Sequence, residues 1–310
     1  MIISASYKTD IPAFYGHWFE KRLEAGYCMV ANPYNRRQVR RVSLLPEDVD
    51  GFVFWTKNLG PFMGRLERVA QFGRPFTVQY TITGYPRELE RTVVDADRSV
   101  RHLRTVAARY GPKAAVWRYD PILFSSLTPA EYHLKNFERL AGALEGSCDE
   151  VVISFATIYK KTARNLDQAA REFGFTWEDP PDKVKLGLAA KLVDMAGSHG
   201  MSLSVCSQRK YVVLGAQAAR CVDACRLAAM GGRPIRARLK GNRPDCGCYE
   251  SADIGEYDTC PHGCVYCYAV LHRDLAFRRY GRHDPEGEFL FGSGDAATSS
   301  GEETKQTTLL

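Results

Sequence analysis

The sequence predicts an α/β fold: a full or partial (β/α) barrel completed by a cysteine-rich metal-binding region near the C-terminal end. Three observations predict it. Six apolar runs rich in β-branched and aromatic residues recur along the first two thirds of the chain, with helix-like stretches between them. The runs are continuously apolar, as suits strands of a parallel sheet buried on both faces. Eight of the ten cysteines then crowd between residues 206 and 267. A doubly wound open sheet is the alternative architecture.

In chain order the predicted strands are "MIISASY" (1–7), "GFVFWTK" (51–57), "FTVQYTI" (76–82), "AAVWRYD" (114–120), "EVVISFA" (150–156) and "MSLSVCS" (201–207). Helical spacing covers 13–25, 61–72, 97–110, 128–145 and 182–199. Asp97, Thr128 and Asp182 read as N-caps, and Pro129 fits the first turn after Thr128. Residues 1–208 form the barrel-like core. Residues 209–291, dense in Gly, Pro, Cys and Arg, belong to the same domain and read as irregular structure ordered by metal, with a short helix after residue 268. Residues 292–310 are polar and low in complexity, and are expected to be a disordered tail.

In either architecture, chemistry gathers at the C-terminal ends of the strands. The six predicted ends carry Lys8, Thr9 and Asp10; Thr56, Lys57 and Asn58; Gln79, Tyr80 and Thr81; Arg118, Tyr119 and Asp120; Ser154; and Cys206, Ser207 and Gln208. Their repetition on one rim predicts a cavity there. Arg118 could clamp a carboxylate or phosphate with its two-pronged guanidinium, and Lys57 could serve the same anion as a point charge. Asp120 could orient Arg118 or accept a proton. These three are the catalytic candidates, and each also reads as part of a rim salt bridge. Asp10, before Ile11-Pro12, suits a turn.

Bulk properties narrow the class. The chain has 310 residues, 45% apolar, a net charge of +6 and a pI near 8.7. That mild excess permits anionic ligands without requiring nucleic acid. No run approaches the roughly 18 apolar residues of a membrane span, and the N-terminus lacks the pattern of a secretory signal. A cytoplasmic protein without membrane partners is expected, and its cysteines are expected to be reduced.

Cys260, Cys264 and Cys267 stand in "YDTCPHGCVYCYA" (257–269), a C-x3-C-x2-C frame. Three readings compete. Burial as core residues suits one cysteine better than three within eight residues. A structural zinc would need a fourth ligand, for which Cys246, Cys248 or His262 are available. A [4Fe–4S] cluster would take three thiolates and leave one iron open, with Gly263 letting the loop fold tightly. Cys206, Cys221, Cys246 and Cys248 form a candidate second metal or cluster site. Cys225 falls on a helical pattern.

The frame, with Tyr266 before its last cysteine, resembles the cluster loop of radical S-adenosylmethionine enzymes, C-x3-C-x-aromatic-C, and Cys260, Cys264, Tyr266 and Cys267 match every position. Over residues 1 to 290 the chain also resembles the uncharacterised family called domain of unknown function 1848, through "MIISASYKTDIPAFY", "DGFVFWTKN", "VWRYDPI" and "CGCYESADIGEYDTCPHGCVYCYA". The first resemblance implies a full or partial (β/α) barrel, a [4Fe–4S] cluster on the three cysteines and S-adenosylmethionine chelated at the open iron. It also implies Tyr266 near the adenine, a flavodoxin, ferredoxin or reductase as electron donor, and a 5′-deoxyadenosyl radical acting on a substrate the sequence does not name. Two features depart from that pattern. The loop lies at the C-terminal end of the chain instead of after the first strand, and no Gly-Gly-Glu follows the second strand, where "NLGPF" stands.

Two rival classes remain at this stage. A zinc-ordered nucleic-acid-binding protein is suggested by the basic runs 233–243 and 272–283. An iron–sulfur electron-transfer or sensor protein would need neither an open iron nor a large barrel.

Overall fold

The computed structural model describes residues 1–292. Along them run β1 (Ile2–Ala5), α1 (Ile11–Phe14), α2 (Gly16–Ala25), β2 (Tyr27–Asn32), β3 (Asn35–Ser43), β4 (Gly51–Thr56), α3 (Met63–Gln71), β5 (Phe76–Thr81), α4 (Ala96–Tyr110) and β6 (Ala115–Ile122). There follow β7 (Phe124–Ser125), α5 (Ala130–Leu144), β8 (Glu150–Phe155), α6 (Lys160–Phe173), β9 (Trp177–Glu178), α7 (Asp182–Ser198), β10 (Ser202–Val205), β11 (Gln217–Ala218), α8 (Ala224–Gly231), β12 (Ser251–Asp253) and α9 (Arg273–Gly281).

Eight strands make one parallel sheet in the order β11-β10-β8-β6-β5-β4-β1-β12. From β1 to β11 neighbours in the sheet follow one another along the chain, so the sheet is wound in one direction. The reversal that marks a doubly wound sheet is missing from that series. Only β12 breaks it, crossing back to lie against β1. The ends β11 and β12 are not paired, so the closed form of the expected barrel is not made. One backbone hydrogen bond, from Tyr249 N to Val222 O at 3.0 Å, spans the segments beside them.

Side chains alternate along each strand, and the two faces bury different partners. Ile3, Phe52, Phe54, Val78, Trp117, Tyr119, Ile153 and Val205 enter the main core with apolar positions of α2, α3, α4, α5 and α7. The intervening residues Ile2, Val53, Val116 and Val152 face a smaller apolar cluster supplied by residues 219–227 and Cys248. Continuous apolar runs thus arise because both faces are covered, one by helices and the other by an irregular segment with α8.

Local signals differ from the sequence reading in instructive ways. Asp95, not Asp97, caps α4, accepting from the backbone N–H of Asp97 and Arg98. Thr128 does not cap α5. Its hydroxyl donates to Leu123 O at 2.7 Å inside the preceding turn, and Pro129 holds the cap position. Asp182 is the first residue of α7, where it accepts from Lys210 and the Tyr211 hydroxyl. The region from 209 onward is more regular than expected, containing β11, α8 and β12. The expected tail falls on residues 293–310, outside those described, but for Gly292.

Candidate metal centre

The parallel sheet turns the C-terminal ends of β1, β4, β6 and β12 toward one edge, and the predicted polar residues meet there. Asp10 ties three segments together at this edge. Its carboxylate caps α1 through the Ala13 N–H (2.9 Å), accepts the Lys57 N–H at the end of β4 (2.7 Å) and holds His262 Nε2 of the cysteine loop (2.8 Å). The turn role expected of Asp10 is therefore made, and it extends to the cysteine loop.

That loop leaves β12 and is pinned from several sides. The Tyr15 hydroxyl donates to Thr259 O (2.5 Å), Thr92 Oγ1 to His262 O (2.9 Å) and Val265 N to Leu89 O (3.1 Å). Glu90 and Cys264 form an antiparallel bridge. Gly263 has φ +72°, and a Cβ there would stand 2.9 Å from Arg273 Nε, so the turn needs glycine twice over. Tyr266 is buried, its hydroxyl donating to the Glu90 carboxylate and its ring packed edge-on against Tyr85.

Cys260, Cys264 and Cys267 are partly exposed and lie within electrostatic reach of one another. Burial, then the carboxylates of Asp10 beside Cys260 and Glu90 beside Cys264, and then the neighbouring thiols push these two above the ordinary thiol range; burial also raises Cys267. Opposing groups favour the thiolate form. Backbone N–H of Ala269 points at Cys267 Sγ (3.4 Å), that of His262 reaches Cys260, and Lys57 and Lys161 face the sulfurs. N–H donors and cations at sulfur suit a metal-bound thiolate. His262 Nδ1 is buried beside them without a partner. Among the described residues no group of three or more His, Cys, Asp or Glu side chains is placed so as to hold a metal ion.

Lys57 does not meet Arg118. It pairs with Glu90 at 2.8 Å, a carboxylate that sequence reasoning missed and that also accepts from Thr83 Oγ1 (2.7 Å). Burial opposes charge on both, but the pairing outweighs it, raising Lys57 and lowering Glu90. Arg118 and Asp120 do form the expected pair, with Ser154 donating to Asp120. Burial opposes ionisation of Asp120, yet Arg118 and Ser154 hold it below the usual range. The guanidinium also donates to Gln79 Oε1 (3.2 Å) and Cys221 Sγ (2.9 Å), and lies over Trp55. The geometry therefore commits Arg118 to internal partners. Asp120 remains within electrostatic reach of Lys57, so the cysteine loop and the arginine pair share one edge.

The second cysteine group also lies in one neighbourhood: Cys206 and Cys221 Sγ atoms are 3.7 Å apart, and Cys248 Sγ accepts from the N–H of Val222, the residue after Cys221, at 3.4 Å. Contact with Cys248, helped by backbone N–H groups, lowers Cys246 to about 6. Cys206 pulls Cys221 down, but Cys248 and burial outweigh it and leave Cys221 at about 12.

Two further groups carried no signal in the sequence. Asp253, at the end of β12, accepts from Ser4 Oγ (2.9 Å), Ser6 Oγ (2.7 Å) and Tyr7 N (3.1 Å), with Lys8 Nζ at 3.4 Å. Arg243 stacks over Tyr268 at 4.4 Å and lies in reach of Asp120 and Cys206. Both depend on contacts between segments far apart in the chain. The basic runs are partly neutralised: Glu250 pairs with Arg238 (2.6 Å) and Lys240 (2.9 Å), and Arg279 lies 3.9 Å from the Asp258 carboxylate.

Fold and site together define an α/β protein with a large parallel sheet and a thiol-rich edge. The chain belongs to the family described as Domain of unknown function (DUF1848), whose model matches residues 2–269. No curated protein matches it. Solved structures with partial similarity include D-hydantoinase from a Bacillus sp. AR9 (11% identity, 53% of this chain and 36% of that one, TM-score 0.30). Dihydropyrimidinase from Brevibacillus agri NCHU1002 is another (12% identity, 64% and 38%, TM-score 0.29). The chain spans well under half the length of these proteins, and overlap at that level carries no argument. Among the described residues no helix is long and apolar enough to cross a membrane.

Proposed function

We propose that the protein is an iron–sulfur enzyme of the radical S-adenosylmethionine type, with Cys260, Cys264 and Cys267 as ligands of a [4Fe–4S] cluster. The observation that supports this reading most is the position of the loop. It follows β12, and β12 lies beside β1 at the end of a singly wound parallel sheet. A loop late in the chain is thereby delivered to the C-terminal edge, next to the ends of β1 and β4. The departure in chain position thus has a topological account.

When bound, the cluster would supply the electron that cleaves S-adenosylmethionine for hydrogen abstraction from the substrate. The chain's own residues hold and shield the site. Asp10, Glu90 and Thr92 fix the loop through His262, Tyr266 and backbone carbonyls. Lys57 and Lys161 offset charge at the sulfurs. Tyr266 anchors the loop through Glu90 and Tyr85. Asp120, held ionised between Arg118 and Ser154, presents a fixed negative charge at the same edge.

Anaerobically purified protein should be brown and contain iron and sulfide. Reduced with dithionite, it should convert S-adenosylmethionine to 5′-deoxyadenosine. Replacing Cys260, Cys264 and Cys267 by Ala should abolish colour and product. A colourless wild-type protein carrying only zinc at this loop would reject the reading, and an intact cluster without product would reduce it to electron transfer or sensing.

A further inference from the structure

We propose that Cys206, Cys221, Cys246 and Cys248 bind one divalent ion of the zinc type as a tetrathiolate, separate from the three-cysteine loop, and that this ion staples the two open ends of the sheet. The four thiols come from three segments: the end of β10, the stretch after β11, and the loop before β12. Cys206 and Cys221 are in sulfur contact at 3.7 Å, and the bonds from Val222 N to Cys248 Sγ (3.4 Å) and from Tyr249 N to Val222 O (3.0 Å) bring the Cys246–Cys248 turn alongside Cys221.

The spacing favours one ion. Four sulfurs set tetrahedrally at about 2.3 Å from a metal stand about 3.8 Å from one another. Cys206 and Cys221 are already 3.7 Å apart. A disulfide would need about 2 Å. In a cubane cluster each thiolate binds a different iron, which holds the sulfurs farther apart. The surroundings suit the double negative charge of a tetrathiolate on a divalent ion. Arg118 Nη1 donates to Cys221 Sγ at 2.9 Å, and the Val222 N–H donates to Cys248 Sγ at 3.4 Å.

Closing the group into a tetrahedron requires Cys246 to come round. Its loop has glycine on both sides: Gly247 links it to Cys248, and Gly241 packs where a Cβ would stand 2.3 Å from Cys246 O. On binding, each protonated thiol releases its proton to solvent, and no electron changes hands. The benefit lies in the fold. Among the described residues the segments beside β11 and β12 share one backbone bond, from Tyr249 to Val222, where a closed barrel would have a ladder. A metal joining Cys206 and Cys221 to Cys246 and Cys248 supplies the missing crosslink.

The test uses the full chain with Cys260, Cys264 and Cys267 replaced by Ala, reduced and stripped of metal, then titrated with Zn²⁺ against a chromophoric chelator. One Zn²⁺ per chain should bind, its X-ray absorption should show four sulfurs at about 2.3 Å, and thermal stability should rise. Adding Cys221→Ser should weaken binding more than about 100-fold, beyond the usual effect of an outer partner. Cys225→Ser, an exposed cysteine outside the group, should change nothing. Co²⁺ in the triple variant should give thiolate charge-transfer bands of a tetrahedral site, a readout that survives if the Cys221 variant fails to fold. No zinc in the folded triple variant, a site with fewer than four sulfurs, or a Cys206–Cys221 disulfide in anaerobic protein would overturn the proposal. The cluster reading is decided separately, by iron in the wild type.

Discussion

Glu90 shows what a single buried carboxylate does at this edge. Lys57, Thr83 and Tyr266 all donate to its Oε1, and its backbone pairs with Cys264. Replacing it with Gln leaves the Lys57 ammonium in place without a counter-charge, which costs about 3–5 kcal/mol. Urea denaturation should show that loss for Glu90→Gln, and the pair Lys57→Met with Glu90→Leu should recover most of it. His133 gives a pH signature away from the cysteines. It is fully buried, bonds Tyr119 and Leu123, and burial lowers it to about 4. The unfolded chain protonates this group near pH 6.5, so between about 6.5 and 4 the unfolded state binds the extra proton. Its contribution of about 3 kcal/mol is complete above that window and lost as pH falls through it. Denaturation from pH 7 to 4.5 should show a shallower loss in His133→Gln than in the wild type. Asp10, Lys57, Arg118 and the cysteines were visible as residues in the sequence. Glu90, Asp253 and Arg243 were not, because their roles come from partners brought in by other segments.

Among elements, those with strong periodicity were legible and those built by pairing were not. β4, β5, β6 and β8 carry apolar runs that both faces bury. The β3 strand is mostly exposed and rich in arginine, so its pairing with β2 left no apolar trace. β12 has three residues, too few for a pattern, and exists because β1 offers an edge. The α4 cap is a direct test of which aspartate matters. Asp95→Ala should cost about 1 kcal/mol and Asp97→Ala at most about 0.5, read from denaturant midpoints. Gly263 tests the loop. Gly263→Ala forces an unfavourable φ and a contact with Arg273, and should lower iron incorporation while leaving far-UV circular dichroism unchanged.

For the whole molecule, stability rests on the helix-covered face of the sheet. Phe54 is fully buried among Phe19, Phe62 and Phe76, and Phe54→Ala should cost about 3–5 kcal/mol in an equilibrium unfolding measurement. The parallel class of the sheet, its principal strands and the cysteine frame were all determined by the sequence itself, because apolar periodicity and motif spacing are local properties of the chain. Strand order, the unpaired ends, the return of β12 to β1 and the meeting of Lys57 with Glu90 were decided by the tertiary structure. Those depend on which distant segments share an edge, a contact free energy that no single stretch of sequence contains.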